Sequence, residues 1–265
     1  SGLVDIMLMS ASTGERLSKE GLFEGSPVTP AIRLNDTTDI WSARGGRYKE
    51  EPSRHHRTAV VEQARKHADL GLYSVTYSNQ RDIDAENSEA YRAFRADANQ
   101  NGMRHFLEGF NPAFDINLAN NADMGSFIND NIVRTLAGVM DVDYPKFLKL
   151  QYNGPRAMEE LAGYDPTHLI VGILGGAAGT ARDTFELLHQ AHKYGARVAL
   201  FGRKIHLAES PIEIVKMMRE VVAGTVTPAE AVKAYHGTLQ TAGIKPVRSL
   251  EDDGQVTEKE LKLAA

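Results

Sequence analysis

Short apolar runs, each about five to eight residues long, recur along the chain, and most are separated by segments with helical spacing. The runs are "LVDIMLMS", "VTPAIRL", "LGLYSVTYS", "MRHFLEGF", "KFLKLQY", "HLIVGILGG" and "ARVALFG". Strands alternating with helices build a parallel sheet, because a crossover helix is what returns the chain to the same edge. The stretch "TARDTFELLHQAHKYG" shows the pattern: Phe185, Leu187, Leu188 and Ala191 form an apolar face and Gly195 closes the helix. "SEAYRAFRADANQNG" is a second helix with an Asn-Gly stop, and "TAVVEQARKHAD" a third.

Two architectures use such a rhythm. An open doubly wound sheet that binds a dinucleotide needs a Gly-x-Gly-x-x-Gly turn after an early strand, and none is present. The expectation is therefore a TIM (β/α)8 barrel, either with the first of eight strands missing ahead of "LVDIMLMS" or closing in an irregular way. After the last run, "SPIEIVKMMREVVAG" reads as a helix capped by Ser210 with Pro211 in its first turn, and "TPAEAVKAYHGTLQ" as a further helix capped by Thr227. The chain of 265 residues is read as a single barrel domain, with residues 225–265 as a C-terminal helix and a polar tail that orders only on a neighbour or not at all.

Composition narrows the function. A net charge of -5 gives no electrostatic reason to bind nucleic acid or an anionic membrane, and neither is expected as a partner. Without cysteine there is no disulfide framework, thiolate nucleophile or cysteine metal site. No apolar run approaches the roughly 20 residues of a membrane span, and the N-terminus lacks a signal-peptide pattern. A soluble, cytoplasmic protein is the expectation.

In a barrel, catalytic groups lie at the C-terminal ends of the strands. Those ends offer Ser10, Ser12 and Thr13, then Arg33, Asn35, Asp36 and Asp39, then Thr76, Ser78 and Asn79. Later ends add Glu108 and Asn111, Lys149, Gln151 and Tyr152, then Gly175 and Gly176, and finally Gly202 and Arg203. Lys149 is the unexpected one, a charge inside an apolar run. Alternation puts Phe147, Lys149 and Gln151 on one face and Leu148 and Leu150 on the other. A lysine turned into a barrel is desolvated, which lowers its pKa and makes it a Schiff-base nucleophile. The same lysine can equally neutralise a barrel carboxylate.

Glu108 is the candidate general acid/base, since a carboxyl inside a barrel suits proton transfer. A salt bridge to Lys149 or Arg33 accounts for it just as well. Tyr152 is the reserve, although strict alternation points it outward. The Gly-Gly after the sixth run leads into a helix, and the seventh ends in Gly-Arg. Glycines admit an anion close to backbone N–H groups, a helix N-terminus favours it, and Arg203 can grip a phosphate as a fork. The competing explanation is that the glycines only shape turns. The loop "RLNDTTDIWSARGGRYKEEPSR" places Arg33 and Asn35 at a strand end as substrate-binding candidates, with Arg44 and Arg47 further along. His55, His56, His189 and His192 have no convergent carboxylates, and no metal is expected.

"FLKLQYNG", "HLIVGILGGAAGT" and "ARVALFGRKI", at these separations, resemble the class I, Schiff-base-forming aldolases of the archaeal and bacterial fructose-bisphosphate type, over roughly residues 145–222. The resemblance implies that Lys149 is the Schiff-base lysine and that Gly175, Gly176, Gly202 and Arg203 cradle a phosphate. It departs at the fifth strand of the barrel, where the family carries an acid/base tyrosine and this chain carries Glu108. The function expected is a Schiff-base lyase that makes or breaks a carbon–carbon bond in a phosphorylated keto-sugar without a cofactor. A sugar-phosphate isomerase or epimerase, or a non-catalytic phosphate-binding barrel, are the alternatives. By analogy with the family, a homo-oligomer is expected.

Overall fold

The computed structural model describes residues 2–35, 43–176 and 179–264. It divides into two compact units, Gly2–Leu150 and the chain from Gln151 onward. All seven apolar runs are strands.

The first unit holds β1 (Ile6–Ser10), α1 (Ala11–Lys19), β2 (Thr29–Arg33), α2 (Val61–Ala64), β3 (Leu70–Thr76), α3 (Arg81–Gln100), β4 (Arg104–Phe110), α4 (Met124–Leu136) and β5 (Leu148–Leu150). Its five strands pair in parallel and in chain order. Helix α1, not expected from the apolar pattern, starts because Ser10 Oγ accepts the Thr13 N–H at 3.2 Å. The helix expected over "TAVVEQARKHAD" shrinks to the single turn α2. Its cap position, Val60, makes no side-chain capping bond, and few residues remain before β3 begins.

The strands of this unit have two buried faces. Tyr73 and His105 point to α3, where Tyr73 stacks on Phe94 with ring centroids 4.3 Å apart and the Tyr91 hydroxyl bonds His105 Nε2 at 2.9 Å. Burial pushes His105 down to about 3, with Arg95 and Lys146 adding to the effect, so the ring is a neutral core group. The opposite face carries Leu72, Ser74, Phe106, Glu108, Phe147 and Lys149, all buried. Phe106 and Phe147 stack with centroids 4.4 Å apart, each burial contributing about 1.5–3 kcal/mol. A Cβ at Gly109 would stand 2.5 Å from Leu150 Cδ2, so the glycine is what allows β5 to lie this close.

The second unit holds α5 (Pro155–Tyr164), β6 (Gly172–Leu174), α6 (Ala181–Lys193), β7 (Val198–Leu200), α7 (Arg203–His206), α8 (Pro211–Ala223), α9 (Pro228–Thr241), α10 (Leu250–Asp253) and a closing 3-10 turn over Glu260–Ala264. Strands β6 and β7 are parallel. Thr227 caps α9 in a full capping box with Glu230. Ser210 stands at the cap position of α8 but makes no side-chain bond there. The expectation that the tail lacks order of its own is corrected. Asp183 on α6 accepts the N–H groups of Thr257 at 2.7 Å and Glu258 at 3.2 Å, and the Asp253 carboxylate accepts the Ala181 N–H at 2.7 Å. Gln190 donates to the Leu261 carbonyl at 2.8 Å. Among the described residues, no helix is long and apolar enough to cross a membrane.

Candidate active site

Registry assembles the site of the first unit. Ser74 on β3 is the cross-strand partner of Glu108 on β4, and Glu108 is the partner of Lys149 on β5. Parallel partners share a face at the interstrand spacing of about 4.8 Å, so the three side chains form a row. Lys149 Nζ donates to Glu108 Oε1. The Ser74 hydroxyl donates to Glu108 Oε2 at 2.9 Å, and Arg33 Nη1 approaches the same oxygen at 3.5 Å. The Glu108 side chain is 1% exposed and that of Lys149 8%. Two residues earlier on the same face, the stacked Phe106 and Phe147 give the row an apolar floor.

Asn35 holds the row from the side. Its Oδ1 accepts the Ser74 N–H at 2.5 Å and its Nδ2 donates to the Ser74 carbonyl at 2.9 Å. The structure therefore brings together Lys149, Glu108, Arg33 and Asn35. It adds Ser74, which the strand-end reading passed over in favour of Thr76, Ser78 and Asn79. The available signal was a small hydroxyl residue inside a fully buried strand, two residues before an end. Asp36 and Asp39 lie outside the described residues. Arg47 pairs with Glu50 at 2.9 Å and Glu51 at 2.7 Å on the surface.

The second unit places the remaining candidates. The Tyr152 hydroxyl donates to Gln190 Oε1 on α6 at 3.0 Å, and burial pushes its pKa upward. Gly175 has a packing reason, since a Cβ there would meet Phe201 Cδ1 at 2.5 Å. Gly176 has a backbone reason in its φ of 63°. Gly202 is the cap residue of α7, and Arg203 is exposed in its first turn.

The N-terminus of α6, expected to help hold an anion, already has partners. Thr180 Oγ1 accepts the Asp183 N–H at 2.9 Å, and Asp253 holds that of Ala181. Next to Arg203, Lys204 is buried and pairs with Glu258 at 3.1 Å.

No family model and no curated sequence matches the chain. Among solved structures, an archaeal fructose 1,6-bisphosphate aldolase superposes with a TM-score of 0.60 and 16% identity, over 83% of this chain and 79% of the aldolase. A Corynebacterium glutamicum protein matches with a TM-score of 0.60 and 20% identity, over 85% of this chain and 73% of its own. The fold is an α/β one of parallel strands with helices between them, consistent with a TIM barrel. The fructose-bisphosphate aldolase of Plasmodium falciparum shares it more loosely, with a TM-score of 0.50 and 12% identity over 91% of this chain and 77% of that one. At these identities the likeness concerns the barrel, and the chemistry has to be argued from the row of side chains on it.

Proposed function

We propose that this barrel is a class I aldolase-type lyase in which Lys149 forms a Schiff base with a phosphorylated keto-sugar. The observation that carries the reading is the buried Lys149–Glu108 pair, a lysine nucleophile with a proton acceptor bonded to it. Moving one proton from Nζ to the carboxylate yields a neutral amine and a carboxylic acid, with no net charge created in the buried site. The amine adds to the ketone carbon. One proton of the adduct's nitrogen passes to the oxygen to give the carbinolamine. Glu108 gives its proton to the same oxygen, which leaves as water, and an iminium remains beside the Glu108 carboxylate.

The iminium then accepts the electron pair of the adjacent carbon–carbon bond. As that bond breaks, the Glu108 carboxylate takes the proton of the hydroxyl on the carbon being released, an aldehyde departs and an enamine stays on Lys149. Protonation of the enamine at carbon and addition of water release the second product and restore the amine. Glu108 is preferred to Tyr152 for these transfers because the Tyr152 hydroxyl is engaged with Gln190. Arg203, with Gly202, Gly175 and Gly176, is the proposed holder of a substrate phosphate.

The test is reductive trapping. Borohydride added with hydroxyacetone or dihydroxyacetone phosphate should leave a covalent adduct that peptide mapping places at Lys149. Label at Lys146 or at the buried Lys204 would move the chemistry elsewhere. Turnover of a sugar phosphate without any adduct would favour a second reading, an isomerase in which the Lys149–Glu108 pair acts as acid and base only.

A further inference from the structure

Glu108 has two oxygens, and the structure treats them differently. Oε1 faces Lys149 alone among the described residues. Oε2 accepts the Ser74 hydroxyl at 2.9 Å and lies 3.5 Å from Arg33 Nη1. A carboxyl that carries one proton can hold it on either oxygen, and an oxygen already accepting from a donor is the poorer place for it. We infer that Ser74 is a positioning residue that fixes the proton of Glu108 on Oε1, the oxygen facing Lys149, and so directs the carboxyl group's proton transfers to the nucleophile. This rests on the reading of Lys149 as the Schiff-base lysine.

Three features make the arrangement a built one. Ser74 is fully buried, so water does not compete for its hydroxyl. Its backbone is fixed at both polar atoms by Asn35, at 2.5 and 2.9 Å, which leaves the side chain little freedom to turn away. Its strand position is set by the ladder, since Ser74 and Glu108 are direct cross-strand partners. The bond suits both states of Glu108: a carboxylate accepts from Ser74 at Oε2, and so does the carbonyl oxygen of the acid whose hydroxyl is at Oε1. No rotation of the carboxyl group is then needed between accepting and returning the proton.

The charged groups that face Glu108 among the described residues are Arg33 from β2 and Lys149 from β5. His105, a neighbour in sequence, belongs to the face that meets Tyr91 of α3. Without the Ser74 hydroxyl the two carboxyl oxygens become nearly equivalent, and the proton can settle on the one turned away from Lys149. The species able to react carries one proton on the Lys149–Glu108 pair. Removing the hydroxyl should therefore slow imine formation on Lys149 without weakening the binding of the carbonyl compound.

The experiment measures the rate at which borohydride traps hydroxyacetone or dihydroxyacetone phosphate on Lys149, as a function of the concentration of the carbonyl compound, in the full chain and in Ser74→Ala. The expected result is a saturating trapping rate lowered by about tenfold, with the concentration for half-saturation nearly unchanged. Ser74→Cys keeps the size of the side chain with a weaker donor and should fall between the two. It supplies the same comparison if the alanine variant does not accumulate folded. A purely structural Ser74 would lower the melting temperature and leave the saturating rate unmoved, which would overturn the inference while the wild-type adduct at Lys149 stands. Absence of that adduct in the wild type would overturn both.

Discussion

The two units keep buried lysines in different ways. In the first, Lys149 is held by neighbours on adjacent strands, with Glu108 and Ser74 fixed by the ladder. In the second, Lys204 is held by Glu258, from a tail segment fastened by side-chain bonds to Asp183 and Asp253. A lysine placed by strand registry has a partner that cannot leave without unpairing the sheet. One placed by a tail has a partner that goes wherever the tail goes. The first arrangement suits a reacting group and the second a structural one.

The largest effect expected of any single change tests the first half of that contrast. Lys149→Met removes the proposed nucleophile and should lower turnover by more than about a thousandfold. It also leaves Glu108 buried with the Ser74 hydroxyl at 2.9 Å and, of the two cations, only Arg33 at 3.5 Å. Chemical denaturation near neutral pH should show a loss of about 3 kcal/mol. Adding Glu108→Gln should restore part of it, whereas strictly additive losses would mean that the pair is not coupled.

A middle-sized effect tests the second half. Burial would raise the Asp183 carboxyl, but the bonds from Thr257, Thr180 and Glu258 outweigh it and the net shift is downward. A depressed folded value means that the stability from Asp183 is present above the ordinary aspartate value of 3.8 and is lost as the pH falls through the folded one. Asp183→Asn should cost about 2 kcal/mol at neutral pH and flatten the acid side of the stability curve. Proteolysis should then clip the tail before the body of the protein. A tail that stays protected would show that Asp183 is not its anchor.

The smallest effect concerns substrate binding. Arg203 would touch a phosphate whose charge does not change as the distant bond breaks. Arg203→Ala should therefore raise the KM of the phosphorylated substrate by roughly tenfold, change kcat much less, and leave a non-phosphorylated analogue nearly unaffected. Arg47→Ala, on a side chain paired with exposed glutamates, should move none of these. The reverse pattern would relocate the anion site to the loop after β2.

How much of this could be read in the sequence depended on how each residue announces itself. The seven strands were visible because buried parallel strands are apolar runs, and Lys149 because a charge interrupts one of them. Glu108 was visible by type, and of the two roles weighed for it the salt bridge, to Lys149 and Arg33, is the one the structure shows. Ser74 was only faintly visible, since a serine in a strand carries no periodic signal and its importance lies in register, which needs the paired strand. Gly175 and Gly176 were noticed, yet their close approach to Phe201 and left-handed turn are local demands that a phosphate motif would also make. The tail was misread because its polar composition resembles a disordered segment. Its aspartate and main-chain N–H groups are matched to partners on α6 more than sixty residues earlier, and composition does not report on partners.

The alignment of Ser74, Glu108 and Lys149 in register has a consequence for any preparation of the protein. A one-residue slip between β4 and β5 would swap the faces, pointing Leu148 or Leu150 at Glu108 and turning Lys149 toward the helices. On the proposed mechanism such a molecule would be inert rather than slow. A sample with half the expected specific activity for this reason would thus be a mixture of fully active and dead molecules, and titrating the trappable lysines would count the active ones.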